Sequence, residues 1–298
     1  MKFEYLCIVK SSIFRLFLTV FLLWFTLRIN FKFESYLAYG LILTVGIFHG
    51  SNDISLIRFL KKGSSSHIVK YLVFYVLLVL LTCVVFINLP FIALLLFVAF
   101  SCYHFGEQHF HSQLSHQNLI GQILFFGYGA LIFGLLFYFN HEATSVVIFE
   151  LSGVNLAEVH YLLFLILGVI ITGVSVFLNR RNFDKEVEFF REIFLLLLFA
   201  LLFKVASLLW AFAIYFIVWH SIPSLIDQIE SLHGQLNSKN LFEYIKSSII
   251  YWLISVVGLV FVYYLSKSLN IQFITLFFAF LAAITIPHVI VMYYLNKN

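Results

Sequence analysis

The sequence predicts an all-α fold, a polytopic transmembrane helical bundle of about ten helices, eight to ten in all, and three observations carry the prediction. First, 62% of the 298 residues are hydrophobic and 11% are charged, with a mean hydropathy of +1.02, whereas a water-soluble domain has roughly a quarter of its residues charged. Second, apolar runs of roughly 20 residues recur along the chain, as membrane helices require, without the period of two that marks an outer-membrane barrel. Third, lipid offers no partners to backbone polar groups, so each run must satisfy its own hydrogen bonds as a helix. Three Pro and 14 Gly are too few for a Pro- or Gly-rich disordered chain or a collagen.

The first run, residues 11–29, follows Lys2 and Lys10 and superficially resembles a secretion signal. No A-x-A-like cleavage site follows and the run continues to Thr26, so it reads as a membrane helix. Further helices are expected at 36–57, 68–88, 90–107 and 119–139. The stretch 140–158 carries Glu142, Glu150 and Glu158 without Lys or Arg and is expected to be a loop, followed by a helix at 160–178. Around Lys204 two short runs, 190–203 and 205–224, read as two helices, although a single broken helix also fits. Helices at 247–266 and 271–295 complete the set. No linker, composition shift or internal repeat divides the chain, so residues 1–298 are expected to form a single integral membrane domain.

Loop charges orient the bundle. With the N-terminus cytoplasmic, Lys2, Lys10, Arg58, Lys61, Lys62, Lys70, Arg180, Arg181, Lys185, Arg191, Lys239, Lys246 and Lys297 lie inside, against Arg28, Lys32, Lys204 and Lys267 outside. That bias is the positive-inside pattern and predicts an inner-membrane protein with both termini cytoplasmic. The basic residues sit in short turns rather than along one stripe, so the net charge of +4 points to topology and not to nucleic acid. Cys7, Cys83 and Cys102 are odd in number, scattered and free of any CxxC, which excludes a disulfide framework or a thiolate metal site as expectations.

Eleven His in so apolar a chain are the anomaly, because ionisable groups in a membrane are costly and usually mark a pathway, a relay or a ligand set. Four fall within expected helices: His49 in GIFHGSND, His104 in FSCYHFGEQHF, His220 in YFIVWHSIP and His288 in TIPHVIVMYY. Their helices all run outside to inside, and each His lies at or past the middle, so the four share a depth in the cytoplasmic half. Four neutral imidazoles converging there would make an iron, zinc or copper site, with redox-active iron favoured if dioxygen is handled. Singly, each could instead be a polar residue joining two helices.

His67, His111, His116, His141 and His233 fall in expected loops, and His160 lies at the outer end of its helix. His109 either bends back towards the site or faces the headgroups. Asp53, four residues after His49, and Glu107, three after His104, are candidates to accept the second N–H of a metal-bound imidazole and so fix its tautomer. Gly50 and Gly106 remove bulk beside two of the histidines, and Pro223 and Pro287 are expected to kink helices near the site. Runs such as Phe125-Phe126-Gly127-Tyr128 and Phe137-Tyr138-Phe139 could line a slot for a flat polyene or simply face lipid.

His49-Gly50-x-x-Asp53, Tyr103-His104-Phe105-Gly106-Glu107, Trp219-His220-Ser221 and Pro287-His288 occur in the order and approximate spacing of the bacterial and archaeal Brp/Blh family. The chain resembles that family from residue 46 to 290. The resemblance implies a membrane β-carotene 15,15'-dioxygenase that uses dioxygen and histidine-bound non-haem Fe(2+) to cleave β-carotene at its central double bond into two molecules of retinal. It carries His49, His104 and His220 over as catalytic iron ligands, with His288 the fourth. It also suggests delivery of retinal to a rhodopsin. Two positions depart: many members have an acidic residue where this chain has His109, and many have a second His where it has Ser224, so either His288 or a water completes the ligand sphere.

No nucleophile-base pair is present, which agrees with a mechanism that needs no general base. A di-iron lipid desaturase requires about eight clustered histidines, and His104, His109, His111 and His116 do not supply them. The alternative from outside enzymology is a carotenoid-binding or metal/proton transport membrane protein using the same bundle without catalysis.

Overall fold

A computed structural model describes residues 12–60, 65–116, 118–183, 189–267 and 272–296. Lys2, Cys7, Lys10, Lys61, Lys62, Lys185, Lys297 and the side chain of His67, all used in the sequence reading, lie outside the described residues. The described chain is helical throughout: α1 (Ser12–Thr26), α2 (Phe31–Leu60), α3 (Ser65–Asn88), α4 (Pro90–Gln113), α5 (Leu119–Phe139), α6 (His141–Ser152), α7 (Glu158–Asn179), α8 (Phe189–Val205), α9 (Leu208–His233), α10 (Ser238–Ser266) and α11 (Phe273–Asn296). Eight of these, α2, α3, α4, α5, α7, α9, α10 and α11, are long and apolar enough to cross a membrane.

Each of the ten expected membrane helices appears as a helix, but α1, with 15 described residues, and α8, with 17, fall short of a span, and one helix is added. The stretch 140–158 is not all loop: α6 occupies residues 141–152, turning Thr144 and Val147 inward, and ends at Gly153 in the left-handed conformation with φ of 69°. With 12 residues it spans about 18 Å, too short to cross a bilayer. Around Lys204 the chain forms two helices, broken after Val205 and restarted at Leu208. The backbone amide of Ser207, at the start of α9, donates to the buried carboxylate of Glu34 at 2.9 Å, which satisfies a helix N-terminus inside the protein.

Helix α9 is the axis of the bundle. Its segment 208–221 reads LLWAFAIYFIVWHS, apolar all round, and every one of these residues is buried, as an all-round apolar helix surrounded by protein should be. Two indoles on it anchor α1: Trp210 donates to Thr26 Oγ1 at 2.8 Å and Trp219 to Thr19 Oγ1 at 2.9 Å. Helices α3 and α10 lie at the periphery, and most of their apolar side chains face outward, as those of membrane helices do.

Glycines set the tightest crossings. A Cβ on Gly129 of α5 would stand 1.9 Å from the Cys102 carbonyl oxygen of α4, and one on Gly106 of α4 would stand 1.8 Å from the Phe125 carbonyl oxygen of α5. The two backbones therefore touch through a reciprocal glycine pair, the small-residue packing typical of membrane helices. Gly106 thus serves helix packing. Gly50 meets only ordinary contact, 3.7 Å from a Cβ position to the His288 ring.

Gly129→Ala is expected to lower detergent-solubilised stability by about 1–3 kcal/mol, because the methyl can be housed only by separating α4 from α5. Gly173→Ala, where nothing lies within 4 Å, should be neutral or slightly stabilising. Thermal unfolding of the two variants side by side checks this, and equal melting temperatures would rule out the close crossing.

Candidate metal centre

Two irregular helices carry the first pair of histidines into the centre of the bundle. In α2 a π-helical segment, Ile42–Gly46, precedes Ile47–Gly50, and the helix then breaks and restarts at Asp53 with the Asn52 carbonyl accepting from Ser55 and Leu56. In α9 a second π segment, Phe216–Ser221, contains His220. Such wide turns displace carbonyls from the regular ladder and occur often at functional sites. The carbonyl of Leu43, in the α2 π segment, accepts from the Trp252 indole of α10 at 2.7 Å, and that of Gly46 accepts from His49 Nδ1 at 2.5 Å.

His104 arrives from α4 and His288 from α11, directly after Pro287, which lies inside that helix. The four rings meet edge to face. Their centroids are 4.9 Å apart for His49–His288, 5.1 Å for His49–His220, 4.7 Å for His104–His220 and 5.4 Å for His104–His288. His49, His220 and His288 each offer a ring nitrogen within 4.8 Å of the others, the separation one metal ion can bridge. The His104 ring packs against His220 and His288, but its nitrogens are not among the three within that separation.

All four are buried, and their nitrogens divide into used and unused. The proton of His49 Nδ1 goes to the Gly46 carbonyl, which leaves Nε2 with its lone pair. The proton of His288 Nδ1 goes to Asp53 Oδ1 at 2.7 Å. Both ring nitrogens of His104, Nδ1 of His220 and Nε2 of His288 are buried with no hydrogen-bond partner. Each such orphan costs about 1–3 kcal/mol, so an arrangement in which His49, His220 and His288 stand within reach of one ion fits a bound cation and is poorly explained as helix glue.

Asp53 was expected, by its spacing from His49, to orient that residue; it orients His288 instead. The break at Ser51–Asn52 removes the i, i+4 relation and turns the carboxylate towards α11, while Tyr75 of α3 donates to its other oxygen at 2.8 Å. Glu107 is buried, with the Tyr103 hydroxyl 3.5 Å from Oε1, and does not bond His104, whose nitrogens are both unpartnered. His109 lies away from the cluster, its Nε2 2.7 Å from Glu192 of α8 and its ring stacked on Tyr128. Continuation of α4 through Phe110 aims it there.

Ser224 is buried and accepts from Gln228 at 3.2 Å; the Tyr244 hydroxyl bonds Gln228 Oε1 at 2.7 Å and reaches the His49 carbonyl at 3.2 Å. The position therefore supports the backbone behind His49. Among the residues that sequence reasoning missed, Tyr75 had no signal beyond being one of 16 tyrosines, and Phe105, which lies against the His220 ring at 4.5 Å, sits inconspicuously beside His104.

The four histidines line a cavity of about 290 Å³ whose other walls, from α2, α3, α4, α9, α10 and α11, are mostly apolar, with Asp53, Tyr75, Ser101, Tyr251, Ser255 and Thr285 the main polar exceptions. Val76 of α3 and Ile254 of α10 edge it and are exposed on the bundle's outer surface, so the cavity reaches the region of lipid tails.

Fold and site together define a multi-pass membrane protein with a buried histidine cluster able to hold a metal ion. The family model for beta-carotene 15,15'-dioxygenase matches residues 40–296, and the chain belongs to that family. No curated protein and no solved structure matches it.

Single His49→Ala, His104→Ala and His220→Ala replacements are expected to abolish bound metal while membrane insertion persists, and His233→Ala should be silent. Asp53→Ala should weaken metal affinity about 10–100-fold by freeing the His288 ring. Metal analysis and Fe(2+) titration of the purified variants decide this; full metal retention in all three histidine variants would eliminate a shared site.

Proposed function

We propose that the protein cleaves β-carotene at its central double bond with dioxygen, giving two molecules of retinal, at Fe(2+) held by His49, His104, His220 and His288. The observation that carries this reading is the set of orphaned imidazole nitrogens lining a largely apolar cavity that reaches the outer surface of the bundle, in a chain of the β-carotene dioxygenase family.

Ferrous iron in that position supplies the binding and reduction of dioxygen needed to attack a polyene. The chain's own residues do the rest. Neutral imidazoles leave the charge of the metal uncompensated, and Asp53 fixes the His288 tautomer from behind with help from Tyr75. Phe105 and Phe216 cover the His220 ring and keep water from it. The substrate needs no ionised anchor, because it is already dissolved in the bilayer and binds by burying a long apolar surface. Orientation of the polyene across the cluster is what selects the bond that breaks. Inserting both oxygen atoms across one C=C bond yields two aldehydes, so no general acid or base is required.

The orientation we infer is an inner-membrane one, with both termini cytoplasmic and the metal in the cytoplasmic half; retinal leaving through the lipid-facing opening would then be available to a rhodopsin. A reporter active only in the cytoplasm should work when fused after Lys185 and fail when fused within 142–158, and the opposite result inverts the bundle.

Expressed in a bacterium that accumulates β-carotene, the protein should bleach the cells and produce retinal, since central cleavage halves the conjugated chain. Anaerobic growth or iron chelation should prevent it. Persistent β-carotene under air and iron, with inserted protein, would overturn the catalytic reading in favour of carotenoid binding or metal or proton transport.

A further inference from the structure

A second cavity, of about 260 Å³, lies beside the metal cavity, walled by α4, α5, α6, α7, α9 and α11 together with Leu156. The two share Phe97 of α4 and Phe212 of α9 as lining residues, so these phenyl rings are the partition between them. A line of rings runs from one side to the other: Phe278 lies edge-on to Phe212 at 5.7 Å, Phe212 stacks on Phe216 at 5.1 Å, and Phe216 stacks on His220 at 5.5 Å.

The few polar groups on its wall are committed elsewhere. Thr144 donates its hydroxyl to the Asn140 carbonyl at 2.9 Å, the Tyr161 hydroxyl pairs with Ser145 at 2.8 Å, and His160 Nδ1 lies 3.1 Å from the Ala157 carbonyl. The space therefore suits a hydrocarbon, and an apolar cavity left empty is destabilising.

The substrate's own geometry says which hydrocarbon. A rigid polyene cut at its middle must project equally far on both sides of the metal. One half can lie towards the opening between Val76 and Ile254. The other half needs further apolar space, and the neighbouring cavity that adjoins across Phe97 and Phe212 offers it.

We propose that the second cavity receives one end ring of the carotenoid, with Phe97 and Phe212 as the sill over which the polyene passes, so that the depth of this cavity measures the substrate and selects a two-ringed molecule. The proposal rests on the carotenoid reading of the site and adds the place where one end of the molecule is held.

Ile148→Trp on α6 and Leu156→Trp in the turn that follows would fill the cavity from elements that contribute nothing to the metal cavity. Purified protein is mixed without dioxygen with β-carotene, or with a shortened carotenal that keeps one ring, and binding is followed by absorbance. Both variants should bind β-carotene at least about tenfold more weakly than the unmodified protein, keep the one-ringed carotenal within about twofold, and retain their metal. If Trp at either position impairs folding, seen as loss of metal, Ile148→Phe takes its place with a smaller weakening of the same sign.

Unchanged β-carotene binding in metal-loaded variants overturns the proposal, as does failure of the unmodified protein to bind β-carotene. Because binding is read without turnover, a protein that binds β-carotene as described yet never cleaves it under air and iron defeats the dioxygenase reading and leaves the cavity assignment standing.

Discussion

Four imidazoles packed edge to face in the middle of an apolar bundle, with four of their ring nitrogens lacking any protein partner, impose a debt of several kcal/mol by the usual cost of about 1–3 kcal/mol for each orphaned polar group. A cation held through one nitrogen of a ring would offset the part of that cost that falls on lone pairs. Much of the surrounding irregularity serves to keep the rings converged: the π segments of α2 and α9, the break at Ser51–Asn52, the Gly46 carbonyl on His49 and the Asp53–Tyr75 pair on His288. Regular helices would have spread these side chains around their axes. Packing elsewhere follows from the same need, with residues 208–221 of α9 wholly buried so that His220 does not meet lipid.

The histidine cluster was legible in the sequence because ionisable residues stand out against a hydrophobic background, and because helix lengths convert position into depth. His49, His104, His220 and His288 could be grouped on that basis alone. The lone helix α6 was not legible: its 12 residues lie in a stretch whose three glutamates and lack of basic residues read as loop, and it is held by tertiary contacts such as the Glu150 carboxylate with the Thr275 hydroxyl at the start of α11. Asp53 illustrates a different limit. Spacing placed it beside His49 on the assumption of an unbroken helix, and no local residue pattern announced the π segment or the break. Glu34 shows the same thing, since a carboxylate capping a helix 173 positions later in the chain leaves no trace in local sequence.

Chemistry and architecture fit together through polarity. A substrate without ionisable groups gives the protein nothing to hold but shape, so recognition has to come from apolar walls and from where they end. The cavity lined by the histidines reaches the outer surface of the bundle at Val76 and Ile254, and it shares Phe97 and Phe212 with a neighbouring apolar cavity. Helices α3 and α10, exposed to lipid along most of their length, flank the opening. Such an arrangement lets a bilayer-dissolved molecule enter sideways without crossing water.

X-ray absorption at the iron edge of the purified, iron-loaded protein tests the central claim most directly. The account predicts one iron per chain, nitrogen nearest neighbours, and the outer-shell scattering of at least three imidazoles. A first shell of oxygen without the imidazole pattern, or no retained iron after loading, would contradict it.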